Sequence, residues 1–66
     1  MVLIDLYKRG EGVIKKFPSV ATETEAKQVI EKYCLENDVK VVGRERCGES
    51  HWNYLSDGTE IDYCIE

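Results

Sequence analysis

The sequence of 66 residues has no long apolar run. The longest apolar stretch near its start is Val2-Leu3-Ile4, which Asp5 interrupts. The apolar core of a secretory signal takes about 7–15 residues and a transmembrane helix about 20, and no small-residue cleavage site follows. We therefore expect neither a membrane span nor a secretory leader, and the expected localisation is cytoplasmic.

Motifs for catalysis and cofactor binding are also missing. The two glycines of Arg9-Gly10-Glu11-Gly12 lack the lysine and the following helix of a phosphate-binding loop. There is no serine, histidine and aspartate set in a known context. A pocket for a small substrate is typically about 300 Å³ or larger, and so short a chain rarely has enough residues to form its walls. We expect no enzyme, no cofactor and no catalytic residues.

Basic residues are scarce, with nine against thirteen acidic ones and a net charge of −4. Such a balance argues against a protein that coats nucleic acid or anionic lipid. The charge is unevenly distributed, because four of the nine basic residues lie in the first twenty positions. These are Lys8, Arg9, Lys15 and Lys16.

The pattern of turn residues and apolar residues predicts one domain over residues 1–66. Residues 2–8 and 13–17 indicate two strands around a glycine turn, and Pro18 ends the second. Thr22 and Glu25 form a capping box for a helix over 23–36. Its apolar stripe consists of Ala26, Val29, Ile30, Tyr33 and Cys34. Asn37-Asp38 predicts a left-handed stop for this helix.

Three further strands are predicted after the helix, so the fold class is α+β, a small ββαβββ domain with one helix packed on a mainly antiparallel sheet. Residues 39–46 form one strand, and 51–55 with 60–65 form a hairpin around Asp57-Gly58. A two-residue turn there pairs His51 with Cys64. It also places five large side chains on the core face: Trp52, Tyr54, Ile61, Tyr63 and Ile65. Extending the register across Gly48-Glu49 pairs Arg46 with His51.

The three cysteines are an odd number, which favours free thiols over a disulfide framework. Opposite His51, Cys64 would gain reactivity from the imidazole, with Cys47 and Arg46 nearby. A zinc site of three cysteines and one histidine, with Cys34 added, is the other chemical hypothesis, although the spacing lacks a zinc knuckle. The simpler interpretation makes these residues ordinary core and surface positions, so no metal is expected.

The function expected from these observations is a small acidic interaction or regulatory module that binds another protein. The large apolar residues exceed what one helix can cover, and Leu3, Tyr7, Ile14 and Leu55 are predicted on the less covered sheet face. A homodimer through this face is a second form of the same hypothesis. The alternative is nucleic-acid binding by the basic hairpin, through Tyr7, Lys8, Arg9, Lys15 and Lys16.

Overall fold

A computed structural model describes residues 1–66 and confirms the predicted α+β architecture. The elements in chain order are β1 (Val2–Lys8), β2 (Gly12–Lys16), α1 (Glu23–Asn37), β3 (Val41–Cys47), β4 (Ser50–Leu55) and β5 (Thr59–Ile65). All neighbouring strands are antiparallel, and their order across the sheet is β2-β1-β5-β4-β3. The single helix is too short and too polar to cross a membrane.

The first and last strands of the chain pair in the middle of the sheet. Residues Val2–Lys8 run antiparallel to Thr59–Ile65 over the full length of both strands. The pairing brings the ends of the chain together, because the Glu66 N–H donates to the Met1 carbonyl at 2.8 Å. Alternate residues of both strands enter the core, since successive side chains of a strand point to opposite faces. The fully buried ones are Val2, Ile4 and Ile61.

The helix begins at the predicted residue and ends at Asn37, one residue after the predicted end. The Glu25 N–H donates to the Thr22 hydroxyl at 3.2 Å, and that hydroxyl donates to the Glu25 carboxylate. At the other end, Asp38 has a φ of 52°, and the following Val39 N–H donates to the Cys34 carbonyl. Ala26 and Ile30 are buried against the sheet, and the rest of the predicted stripe packs around them.

Replacing Thr22 by alanine is expected to lower the free energy of unfolding by about 1 kcal/mol, because the first turn loses its side-chain acceptor. Thermal unfolding followed by circular dichroism measures the change. Thr24→Ala is the matched control, since Thr24 is exposed within the helix and makes no side-chain hydrogen bond. Equal losses from the two substitutions would contradict the assignment of the cap to Thr22.

The last hairpin differs from its prediction by one residue. Tyr54 pairs with Glu60, Asn53 with Ile61 and His51 with Tyr63, so the predicted two-residue turn is wrong. The loop is one residue longer: the Gly58 N–H donates to the Leu55 carbonyl, and Gly58 has a φ of 88°. A three-residue hairpin loop needs such a left-handed residue at its end, which glycine supplies without strain.

The shifted register changes which side chains of β4 face the helix. Asn53 and Leu55 are buried beneath it, whereas Trp52 and Tyr54 lie on the opposite side of the sheet. The predicted core placement of Trp52 and Tyr54 is therefore wrong, and so is the placement of Leu55 on the less covered face. Three of the five predicted core residues of this hairpin are confirmed. Ile61 and Tyr63 are buried, and Ile65 packs against the core.

The hairpin between β3 and β4 has the predicted register. Arg46 pairs with His51 and Arg44 with Asn53 across the two-residue connection Gly48-Glu49. In the first hairpin, the register shifts between Leu6 and Tyr7, so that Ile14 has no direct partner and is 46% exposed. A bulge of this kind bends an edge strand and interrupts its pairing surface.

Candidate functional site

The side of the sheet away from the helix is uncovered, and we call it the open face. Its side chains form three rows across the strands, as the register and the alternation along each strand dictate. The first row is Lys16, Asp5, Asp62, Trp52 and Glu45. The second row is Val13, Tyr7, Glu60, Tyr54 and Gly43. The third row is Leu3, Cys64, Ser50 and Cys47.

Apolar and aromatic side chains are spread over the open face. Leu3 is 39% exposed and Val13 50%, while Trp52, Tyr54 and Tyr7 are half-buried among their neighbours. The Tyr54 ring lies over Gly43, where a Cβ atom would come within 3.4 Å of the ring. Uncovered aromatic surface of this kind is typical of protein-binding sites.

Four carboxyl groups interrupt this apolar surface, and Lys16 is the one cation of the three rows. Asp5 and Asp62 are direct neighbours across β1 and β5, and Glu60 is two residues from Asp62 on the same side. Glu45 accepts a hydrogen bond from the Tyr54 hydroxyl at 2.9 Å. This hydrogen bond, followed by desolvation and the nearby negative charges, raises the pKa of Tyr54. The open face is thus both aromatic and acidic.

Asp62 has the most unfavourable surroundings of the four carboxyl groups. Its Oδ1 atom is buried and has no hydrogen-bond partner. Burial raises the pKa of Asp62 to about 8, and a hydrogen bond with the Glu60 carboxyl and the negative charges of Glu60 and Asp5 add to this effect. A carboxyl group with such a pKa is largely protonated at neutral pH. A cation placed beside it would lower this pKa and so favour loss of the proton.

His51 and Cys64 do not form the predicted thiol–imidazole pair. His51 lies on the helix side, where its ring stacks on Tyr63 at 4.5 Å between centroids and its Nε2 atom is 3.6 Å from the Glu23 carboxylate. Cys64 lies on the open face and accepts a hydrogen bond from the Ser50 hydroxyl at 3.6 Å. The physical reason is the one-residue shift of the last hairpin, which moves His51 opposite Tyr63.

The predicted zinc ligands are also separated. Cys34 lies on the helix, Cys47 and Cys64 are on the open face on either side of Ser50, and His51 faces the other way. No three cysteine, histidine, aspartate or glutamate side chains are placed to hold a metal ion together. Burial, followed by the charge of Asp57, raises the pKa of Cys34, which keeps this thiol protonated and weakly nucleophilic.

The six predicted binding residues do not form one surface. Tyr7 lies on the open face, Leu55 is 3% exposed in the core, and Arg9 is exposed at the β1–β2 turn. The remaining three are lysines of the first hairpin. Lys8 forms an ion pair with Glu11 at 3.1 Å, Lys15 lies 4.9 Å above the Phe17 ring, and Lys16 is opposite Asp5.

The aromatic and acidic residues in the centre of the open face are not among the binding residues predicted from the sequence. Trp52, Tyr54 and Asp62 become neighbours only through the observed register of β4 and β5. The signal that could have found them is the loop Ser56-Asp57-Gly58 before Thr59, which suits a three-residue hairpin turn with glycine in its left-handed position.

Comparison of the chain with protein-family models, with curated proteins and with solved structures found no match.

Proposed function

We propose that this protein is a small interaction module, and that its open face binds a protein partner that presents lysine or arginine within an apolar segment. The observation that carries the proposal is the buried, unpartnered Oδ1 atom of Asp62 in the middle of an aromatic surface. A buried acceptor without a donor is unfavourable, and a rotation of the Asp62 carboxyl group toward a donor of the partner removes that cost.

The negative charge of the open face favours a positively charged partner. Four carboxyl groups against one lysine attract a basic surface and repel an acidic one. The rings of Trp52 and Tyr54 lie beside these carboxyl groups, and an arginine or lysine stacked on an aromatic ring gains a cation–π contribution. Apolar residues of the partner would cover Leu3 and Val13, the most exposed apolar side chains of the three rows.

A second copy of this chain is a poorer occupant of the open face. In a two-fold symmetric dimer each surface meets its own copy, so an open face with four carboxyl groups and one lysine would meet an equally acidic face. Like charges brought together at an interface disfavour association. The basic hairpin is also a weaker candidate for nucleic-acid binding, since Lys8 and Lys15 are already engaged by Glu11 and Phe17.

The proposal is tested with three end-blocked pentapeptides, LRVRL, LQVQL and LEVEL, and the fluorescence of the single tryptophan. LRVRL is expected to change the Trp52 emission in a saturable manner, LQVQL to bind more weakly, and LEVEL not to bind. Amide chemical shifts should place the LRVRL contacts on β1, β4 and β5. Equal responses to LRVRL and LEVEL would overturn the proposal, as would a dimer whose interface is the open face.

Two double variants, each of which replaces two carboxyl groups by amides, serve as test and control. Glu60→Gln with Asp62→Asn is expected to weaken LRVRL binding about tenfold, because charge-assisted hydrogen bonds are lost. Glu36→Gln with Glu49→Gln removes two exposed carboxylates outside the open face and should leave the affinity unchanged. Affinity in the wild type should also rise with pH through about 8, as Asp62 loses its proton. That rise should disappear in the first double variant.

A further inference from the structure

A groove lies on the other side of the sheet, between the helix and strands β3 and β4. The helix packs over β1 and β5 and covers Asn53 and Leu55 of β4, so the helix-side surface of β3 is left without a cover. The groove has a volume of about 950 Å³ and is open to solvent. Its walls are the helix residues Lys27 and Glu31 on one side and the strand residues Arg44 and Arg46 on the other.

The groove collects positive charge in a protein whose net charge is negative. Lys27, Lys40, Arg44 and Arg46 line it, whereas Glu23 and Glu31 are the acidic residues of its helix wall. The carboxylate of a third acidic residue at the rim, Glu45, is bonded to Tyr54 on the open face. The groove therefore carries a surplus of cations.

None of these four cations has a carboxylate partner within ion-pair distance. The two ion pairs of the protein join Lys8 to Glu11 and His51 to Glu23. Thirteen acidic residues are available in the chain, yet both groove arginines remain free of them. Two unpaired guanidinium groups on one wall of a concave surface are suited to an anionic ligand, since their planar forks match the oxygens of a phosphate.

Arg46 is held in place by a hydrogen bond of its own side chain. The Arg46 Nε–H donates to the Gly48 carbonyl at 3.2 Å, which leaves the two terminal amino groups of its guanidinium for a ligand. Arg44 lies two residues earlier on the same strand, so its side chain leaves the sheet on the same side. Both arginines line the groove together with Tyr63, and their positive charges act to lower the pKa of Tyr63, against the larger effects of burial and Glu23.

His51 adds an imidazole ring, which can form hydrogen bonds, between the two walls of the groove. Its ring is stacked on Tyr63, and its Nε2 atom faces Glu23. The Tyr63 hydroxyl donates to the same Glu23 carboxylate at 2.8 Å. This hydrogen bond lowers the pKa of Glu23, assisted by the positive charges of Lys27, His51 and Arg46 and opposed by desolvation. Glu23 is thus already engaged with Tyr63 and His51, and it forms no ion pair with either arginine.

We propose that this groove binds a small phosphate-bearing molecule through Arg44 and Arg46, with Lys27 and His51 as further contacts. A compact ligand fits better than a nucleic acid, because a long polyanion would be repelled by the acidic remainder of the protein. The site is independent of the open face and lies on the opposite side of the sheet. Its failure and the failure of the proposed protein-binding function are therefore separate results.

The experiment titrates pyrophosphate, adenosine diphosphate and an oligothymidine into the isotopically labelled protein at low ionic strength. Pyrophosphate is expected to shift the side-chain Nε–H signals of Arg44 and Arg46 in a saturable manner. Equal affinities for pyrophosphate and the nucleotide would identify a site for free phosphate groups. Tighter nucleotide binding would identify a site that also contacts the nucleoside. Tighter binding of the oligothymidine would overturn the proposal in favour of nucleic acid.

Arg44→Gln and Arg46→Gln are each expected to weaken pyrophosphate binding about tenfold, since each removes one charged donor. Arg9→Gln is the matched control, because it removes the same charge from the exposed β1–β2 turn, outside the groove. Circular dichroism should show all three variants folded, as each side chain is exposed. An equal loss in Arg9→Gln would show only diffuse attraction and would overturn the site, as would the absence of saturation.

Discussion

Replacing Ile61 by alanine is expected to lower the free energy of unfolding by about 2–5 kcal/mol. Ile61 has no exposed surface, and it belongs to a strand that is paired on both sides, with Leu6 on β1 and Asn53 on β4. The helix closes over the same core through Ala26 and Ile30. A core of this size supplies at most about 3–5 kcal/mol, so the substitution should remove much of the stability of the fold. Urea titration followed by circular dichroism measures the loss.

Val42→Ala is the control for this substitution, because Val42 is a β-branched residue of β3 that is 68% exposed. Its effect should stay within about 0.5 kcal/mol. Trp52→Ala provides a second comparison. With Trp52 half-exposed on the open face, its loss should destabilise the protein less than that of the smaller Ile61. A larger effect at Trp52 than at Ile61 would contradict the observed register.

Replacing Asp62 by asparagine is expected to stabilise the protein at pH 9 by about 1–2 kcal/mol, since partial exposure screens much of the repulsion. The folded state raises the pKa of Asp62 from 3.8 to about 8. The folded protein therefore holds this proton more tightly than the unfolded chain, and the contribution of Asp62 to stability falls as the pH rises from about 4 to about 8. Asparagine has no charge to repel, so the variant lacks this fall.

The difference between wild type and Asp62→Asn should thus grow between pH 4 and pH 8 and then stay constant, as measured by urea titration at a series of pH values. Asp57→Asn is the control of opposite sign. Hydrogen bonds from the Thr59 side chain and backbone lower the pKa of Asp57, so that its charge stabilises the fold above pH 4 and this contribution is lost in acid. A pH-independent difference at Asp62 would show that the carboxyl group is not perturbed.

The parts of the fold that the sequence predicts are those decided by neighbours along the chain. Thr22 caps the helix through Glu25, three residues away, and Asp38 ends it locally. The connection Gly48-Glu49 also defines its hairpin within a few residues, and the pairing of Arg46 with His51 is observed as predicted. Capping and tight turns depend on residues a few positions apart, and for this reason they can be recognised in a single sequence.

The last hairpin shows how a small local choice has a large consequence. Reading Asp57-Gly58 as a two-residue turn shifts the pairing by one residue, and such a shift moves every side chain of one strand to the other face. On β4 both alternating sets contain apolar residues, so the pattern alone does not decide. The size of Trp52 and Tyr54 favours them as core residues, whereas the single helix covers Asn53 and Leu55 instead.

The two surfaces proposed here depend on contacts between distant segments. Asp5 and Asp62 meet because β1 pairs with β5, and His51 reaches Glu23 because the helix crosses that end of the sheet. The sequence predicts Leu3 and Tyr7 on a less covered face, since alternation within β1 is enough for that. It does not predict that β1 and β5 are neighbours, because the pairing of two distant segments has no local signal.

The central position of the β1–β5 pair has a consequence for how the chain folds. The strands in the middle of the sheet are those most distant in sequence, and Val2 pairs with Ile65. The hairpins and the helix can form early, but each buries little until the two ends meet. Closing the long loop between β1 and β5 costs conformational entropy before the core contacts that offset this cost can form. The folding rate should therefore depend on how often these two strands meet. During synthesis on the ribosome, the core can close only after β5 has left the exit tunnel.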